Sequence, residues 1–353
     1  MRKKKESVNS IKLTLFLVIT ILLISFGFYG FQIAFTPNVL VEKDSKVIII
    51  PNEATFSDVQ KLLHEGKYTH DIVSFSFIAK LMKYHENIKP GRYKLESNMT
   101  NIQAIRHLRA GERSPVQITF NNVRLIEELP AKITKKLMIN EDEFMGALTN
   151  YLNTNKRGFN AQNIISLFIP NTYEVYFSTS AKDLIHRMEK EYDSFWNVNR
   201  KNKAKELGFT PQQIATIASI VQAESIKTDE KARIAGLYIN RLKQNMLLQA
   251  DPTVKFAVGD FTLKRVYEKH TAVDHPYNTY KYKGLPPGPI NMPSINSLES
   301  VLNAEKHDYI YMCAKEDFSG YHNFASNYND HLVNARKYQR ALTIEQRKAK
   351  QLN

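Results

Sequence analysis

Between Leu13 and Phe35 the chain runs for 23 residues without a charge, as LTLFLVITILLISFGFYGFQIAF. Wound as a helix at about 1.5 Å per residue, this run reaches roughly 35 Å, enough to cross a hydrocarbon layer about 30 Å thick. Arg2, Lys3, Lys4, Lys5 and Lys12 precede it, and such basic flanks stay on the cytoplasmic side. Phe26, Phe28, Tyr29, Phe31 and Phe35 crowd its far end, where aromatic rings favour the lipid–water interface. The expectation is an uncleaved signal anchor over residues 13–35 in the cytoplasmic membrane. Residues 1–12 then form a cytoplasmic tail, and everything after about residue 36 lies outside. A cleaved signal peptide and a buried core helix are the competing readings. The first normally has an apolar core of about 7–15 residues ahead of a small-x-small site, and no such site is evident here.

With 353 residues, the rest of the chain has room for two or three domains with cores of their own. Its 43% hydrophobic and 24% charged residues are those of a folded chain. The net charge of +14 suits nucleic acid, anionic lipid or an anionic polymer such as cell wall; an ordinary solvated surface explains it equally well. An external location argues against nucleic acid. Cys313 is the one cysteine, which excludes an internal disulfide and a cysteine zinc site. Nothing in the chain calls for a metal or an organic cofactor.

Residues 36–46 read as a short polar linker. Val47 to Ile50 reads as a strand, Thr55 to Glu65 as a helix stopped by Gly66, Ile72 to Tyr84 as a second helix, Gly91 to Leu95 as a strand, and Asn101 to Arg109 as a third helix. This β-α-α-β-α stretch, residues 47–115, carries no acidic cluster suited to catalysis and reads as a binding or spacer module. A second domain, mixed α/β, is expected over residues 116–341. It begins with a strand at Val116 to Phe120 and a helical pattern from Ile126 to Leu152, and a helix is expected from Ala181 to Phe195. The fold class is therefore α+β. Residues 342–353 read as a polar tail that frays.

Thr210-Pro211-Gln212-Gln213 is a strong helix start, with Thr as N-cap, Pro in the first turn and Gln placed to close a capping box. In the helix that follows, Ile214, Ile217, Ala218 and Val221 repeat at helical spacing. Glu224 falls on that apolar face, three residues past Val221, while Gln222 points elsewhere. Burial favours the neutral acid and raises its pKa, and an acid protonated near neutrality can give a proton to a leaving oxygen. The alternative is a glutamate that ends the helix and points to water.

Downstream come Ile239-Asn240-Arg241-Leu242, then Leu248-Gln249-Ala250-Asp251-Pro252-Thr253-Val254, then Tyr277-Asn278-Thr279-Tyr280, Gly284-Leu285-Pro286-Pro287-Gly288-Pro289-Ile290 and His322-Asn323-Phe324. Tyrosine faces and amides on proline-stiffened loops suit a sugar cleft. Tyr277, Asn278 and Tyr280 are the first candidates for substrate binding, with Gln249, Asp251, His322 and Asn323 behind them. Asp251 has a second reading as a helix cap.

In this order the motifs resemble the MltG/YceG-like endolytic murein transglycosylases, and the resemblance runs from about Val47 to Lys337. It implies a LysM-like module between membrane helix and catalytic domain, and peptidoglycan glycan strands as substrate. It also implies peptidoglycan synthases as partners in ending nascent strands. In the chemistry implied, one glutamate, here Glu224, protonates the bond between N-acetylmuramic acid and N-acetylglucosamine, and a 1,6-anhydro ring closes. Two departures stand out. The family's Glu-x-Glu pattern is here Gln222-Ala223-Glu224, which argues that Glu224 is the essential member. Its Phe-Pro-Asp-Thr-Tyr segment is here Phe168-Ile169-Pro170-Asn171-Thr172-Tyr173, which puts a role for that aspartate in doubt. Two rivals remain: a hydrolytic muramidase pairing Glu224 with Asp251 or Glu230, and a non-enzymatic wall-binding scaffold.

Overall fold

The structure is a computed structural model that describes residues 2–41 and 44–351, with side chains from Ile11 to Lys348. It is a mixed α/β chain that divides into two compact units. The first takes the chain up to Gln117 together with Lys136–Met138 and Glu174–Thr179; the second comprises Ile118–Lys135, Ile139–Tyr173 and the chain from Ser180 onward.

The first unit opens with helix α1 (Arg2–Phe35). Its segment Ile11–Phe35, with mean hydropathy 2.4, is long and apolar enough to cross a membrane. Leu13 to Phe28 present large apolar side chains outward along its length. Next come β1 (Ser45–Ile50), α2 (Phe56–Glu65), α3 (Ile72–Leu81), β2 (Gly91–Glu96) and α4 (Asn101–Ala110), in the β-α-α-β-α order expected from the periodicity. β1 and β2 pair antiparallel with Ile48 opposite Tyr93 and Ile50 opposite Gly91. The inward residues of both strands, Ile48, Ile50, Tyr93 and Leu95, meet Val59, Leu63, Phe75, Ile78, Ile105 and Leu108 from the helices in one apolar core. Reciprocal hydrogen bonds at Thr55/Asp58 and Thr100/Gln103 fix where α2 and α4 begin.

The stretch read as a linker is largely part of this unit. Asn38 and Val39 are buried, and Pro37 and Val39 bridge to Thr100 and Thr69. Asn38 Nδ2 donates to Asp71 O (2.8 Å) and Asn101 Oδ1 (2.6 Å), and its Oδ1 accepts from Asp71 N (2.8 Å). Asn101 Nδ2 in turn donates to Ile33 O (2.8 Å), in the last turn of α1. A polar segment reads as solvated from composition alone, whereas here its amides are consumed inside the fold. Glu42 and Lys43 of that stretch lie outside the described residues.

β3 (Pro115–Phe120) pairs with β4 (Asn171–Tyr176). The helical pattern expected over 126–152 is broken into α5 (Leu129–Thr134) and α6 (Glu141–Thr154). Pro130 sits in the first turn of α5, and Asn140 caps α6 by accepting from Glu143 N at 2.8 Å. The second unit continues with α7 (Ala181–Phe195), α8 (Val198–Leu207), α9 (Pro211–Glu224), α10 (Lys231–Lys243), α11 (Asp251–Val258), α12 (Glu268–Thr271), α13 (Ile295–Leu302), β5 (Tyr311–Ala314), β6 (His322–Ala325) and α14 (Tyr328–Gln351). α9 is its central rod. All eight residues from Ile214 to Val221 are buried, against α10, α11 and α13, so the expected apolar stripe is in fact the whole circumference. Residues 342–351, expected to fray, continue α14, and Glu345 pairs with Lys348 one turn on. β5 and β6 form an antiparallel ribbon in which Cys313 faces Asn323.

Candidate active site

The geometry of the site starts from the cap of α9. Thr210 Oγ1 accepts from Gln213 N (3.2 Å), and Gln213 Oε1 accepts from Thr210 N (2.8 Å). With its start fixed and its body buried, α9 delivers its last residue, Glu224, to one place. One side of Glu224 remains open to solvent, while protein crowds the carboxyl. Tyr238, on the adjacent face of α10, is 2% exposed and donates its hydroxyl proton to Glu224 Oε1 at 2.6 Å.

Burial is the largest influence on the Glu224 carboxyl and raises it. The Tyr238 hydroxyl opposes, since a donor favours the charged form; Asp251 raises it again, and His322 and Lys255 pull it down. The balance leaves the group pushed up from 4.5 to about 7. Tyr238 itself is driven well above the usual phenol range by burial and by the neighbouring carboxylate, so it stays a neutral donor. The pair can therefore release and recover a proton at neutral pH without either group leaving its place.

The surrounding candidates divide by what their polar atoms already do. Asp251 is the first residue of α11 and makes no capping bond; it accepts from the Tyr280 hydroxyl at 2.6 Å. His322 is held by Glu230, which is 3% exposed: the Glu230 carboxylate takes His322 N (2.7 Å), His322 Nδ1 (2.8 Å) and Ser225 Oγ (3.2 Å). With Nδ1 bound, Nε2 is the ring nitrogen without a partner among the described residues. Tyr280, Asp251 and His322 thus sit around Glu224 as side chains held from behind. Gln249 is held in the left-handed region (φ 49°), its amide oxygen accepting from Arg241 (3.2 Å).

Asn278 and Tyr277 have other tasks. Asn278 is fully buried: Nδ2 donates to Thr271 O (2.8 Å) and Val273 O (2.7 Å), and Oδ1 accepts from Tyr280 N (3.1 Å). No atom of it is free for a sugar. Tyr277 packs its ring on Phe256 (centroids 4.5 Å apart), and its hydroxyl reaches Gln162 O at 3.4 Å. Both build the loop that carries Tyr280. Asn323 donates to Glu316 (2.7 Å), on the opposite face of β6 from His322. Gln222, which does point away from Glu224, clamps α13: it donates to Asn291 and Met292 O and accepts from Ser294 N and Ser297 Oγ.

Tyr238 escapes a reading from sequence, because it lies in an ordinary amphipathic helix and its bond to Glu224 crosses between helices. Glu230, offered by the sequence only as a second carboxylate beside Glu224, is here the group that holds His322. Gly288 in the Gly-Leu-Pro-Pro-Gly-Pro-Ile loop is explained by space alone, since a Cβ there would lie 2.0 Å from Gln162 O. Among the described residues, no group of three or more His, Cys, Asp or Glu side chains converges as a metal site.

An open cleft of about 450 Å³ lies beside the last turn of α9, with Glu224 just outside its lining. Gln222 and Ala223 line it, together with Arg124, Lys255, Phe256 and Phe261. A carboxyl pushed up to about 7 thus stands beside a polar cleft, an arrangement suited to acid–base chemistry. The chain belongs to the YceG-like family, whose model matches residues 48–337. It is 29% identical over 296 residues to the endolytic murein transglycosylase of Bacillus subtilis, a match covering 78% of this chain and 81% of that one. It is 28% identical over 352 residues to the endolytic murein transglycosylase of Streptococcus pneumoniae, covering 90% of this chain but 63%, under two thirds, of the longer relative. A crystal structure of a YceG-like protein from Listeria monocytogenes superposes with a TM-score of 0.51 at 25% identity, covering 83% of this chain and 99% of the other.

Proposed function

We propose that this chain is a membrane-anchored endolytic transglycosylase of peptidoglycan, with Glu224 as both its acid and its base. One observation carries the reading: a carboxyl held at about 7 with a neutral phenol on one oxygen. The relatives named as endolytic murein transglycosylases supply the substrate class. Protonated Glu224 gives its proton to the oxygen between N-acetylmuramic acid and N-acetylglucosamine as the glycosidic bond breaks, and the N-acetylglucosamine end leaves with that proton. The Glu224 carboxylate then takes the proton of the muramyl C6 hydroxyl, whose oxygen closes on C1. The products are a 1,6-anhydro end and an enzyme returned to its starting state, and no water is consumed. A group that is acid in one half and base in the other works best with a pKa near the ambient pH, and the substrate brings its own nucleophile at high effective concentration.

Tyr280, Asp251 and His322 are the side chains proposed to meet the sugar, with Tyr277, Asn278 and Gln249 supporting them from below. Residues 47–115 act as a LysM-like module that holds glycan for the domain at 116–341. The apolar segment of α1 anchors the chain with residues 1–12 inside, so that the enzyme meets nascent strands as peptidoglycan synthases extend them. Mass spectrometry of the muropeptides tests the reaction: anhydro ends lighter by one water support it, whereas reducing ends of full mass refute it in favour of a hydrolytic muramidase.

A further inference from the structure

The cleft beside Glu224 has a chemistry that the acid–base step does not use. Arg124 and Lys255 both line it. Among the described residues neither has a carboxylate at ion-pairing distance, although ion pairs recur elsewhere on this surface. The Arg124 guanidinium sits over the Phe261 ring, 4.2 Å from its centroid, a contact that favours this placement of the charge. One acid, Glu128, shares the lining, and each of its oxygens accepts one backbone N–H, from Arg124 (3.2 Å) and Leu125 (3.4 Å). Asn291, also in the lining, is occupied by Ser219 O and Gln222. What the cleft offers an incoming group is therefore two cations, one of them resting on an aromatic ring, with Asn122 beside them in the lining.

Such a pair favours an oxyanion, a carboxylate among them. Resting on the peptidoglycan reading above, we propose that this cleft is a carboxylate-binding subsite for the acidic peptide stem carried on the muramic acid lactyl group. The position suits the task, because Gln222 and Ala223 in its wall are the two residues before Glu224. A stem held there sets which muramyl residue presents its glycosidic oxygen to the acid. The enzyme should accordingly prefer strands that carry stems over strands stripped of them, and raised salt should erode that preference by screening.

The test is the ratio of kcat/KM on stem-bearing strands to kcat/KM on strands stripped by an amidase, measured with the full chain in detergent. A partly misfolded variant loses on both substrates and leaves the ratio alone, so the ratio reads the subsite. Arg124→Gln should lower it several-fold, and Arg124→Glu on the order of 10-fold or more. Lys255 is a poorer probe because it also acts on Glu224. A ratio unchanged in both Arg124 variants overturns the subsite. A second arm does not depend on turnover: calorimetric binding of a stem-bearing muramyl disaccharide to the Glu224→Gln chain, with and without Arg124→Glu. Loss of binding on adding Arg124→Glu supports the subsite even if the wild type releases no anhydro product, an outcome that refutes the reaction instead. Equal binding by both refutes the subsite.

Discussion

Glu224→Gln removes a proton site while keeping the side-chain shape and an oxygen to accept from Tyr238. In the wild type the carboxyl is pushed from 4.5 to about 7, chiefly by burial. Because the folded-state value is raised, the stability this group contributes is complete below pH about 4.5 and is lost as pH climbs through about 7. At about 1.4 kcal/mol per pH unit, that interval amounts to about 3 kcal/mol, and solvent reaching one side of the residue trims it to about 2–3 kcal/mol. The glutamine variant has no such loss. Its stability relative to the wild type should therefore grow by about 2–3 kcal/mol between pH about 4 and pH about 8, while muropeptide release falls at least ~10²-fold. Urea unfolding followed by fluorescence reads this directly, since Trp196, the one tryptophan, is 1% exposed inside the second unit. Parallel stability–pH curves for the two proteins would falsify the burial argument. A well-folded variant that still releases anhydro-muropeptides at the wild-type rate would remove Glu224 from the chemistry.

Tyr238→Phe deletes the donor that holds the Glu224 carboxyl down, so the limb of the pH–rate profile set by Glu224 should move to higher pH; a limb that stays or moves down counts against the pairing. Gly288→Ala forces a Cβ to 2.0 Å from Gln162 O and should cost about 1–3 kcal/mol by urea titration, with an unperturbed midpoint as the opposing result. Asn38→Ala leaves Asp71 N and the amide of Asn101 short of partners. It should destabilise the first unit by about 1–3 kcal/mol, seen as faster amide exchange around Asp71, while the Trp196 transition stays in place.

What the sequence disclosed was mostly what is local. The start of α9 follows from Thr210 and Gln213, two residues whose backbone and side chains satisfy each other, so the position of Glu224 along it follows from local sequence alone. The β-α-α-β-α order was legible for the same reason, from two-residue and helical periodicity. Direction inside a loop was not legible. Asn278 and Tyr280 stand two residues apart in one aromatic-rich motif, yet one is consumed by Thr271 and Val273 and the other reaches Asp251. Composition cannot tell an amide that faces a sugar from one that ties a turn. The Tyr238–Glu224 bond spans two helices, and the packing of α9 against α10 that makes it is a property of the whole core. The break in 126–152 is not legible from periodicity because apolar spacing continues across it, whereas Pro130 and the Asn140 cap decide where each helix starts.

The amides of Asn38 and Asn101 have a mechanical side. Asn101 holds the carbonyl of Ile33 in the last turn of α1, and Ala34 is packed into the first unit's core. A slack tether would let the body behind it spin and lean freely; these bonds make a stiff collar. Torque on α1 is thus passed to the module rather than dissipated in a swivel. A tilt of α1, such as a change in bilayer thickness imposes on a spanning helix, would therefore be felt first at the Asn38 and Asn101 amides.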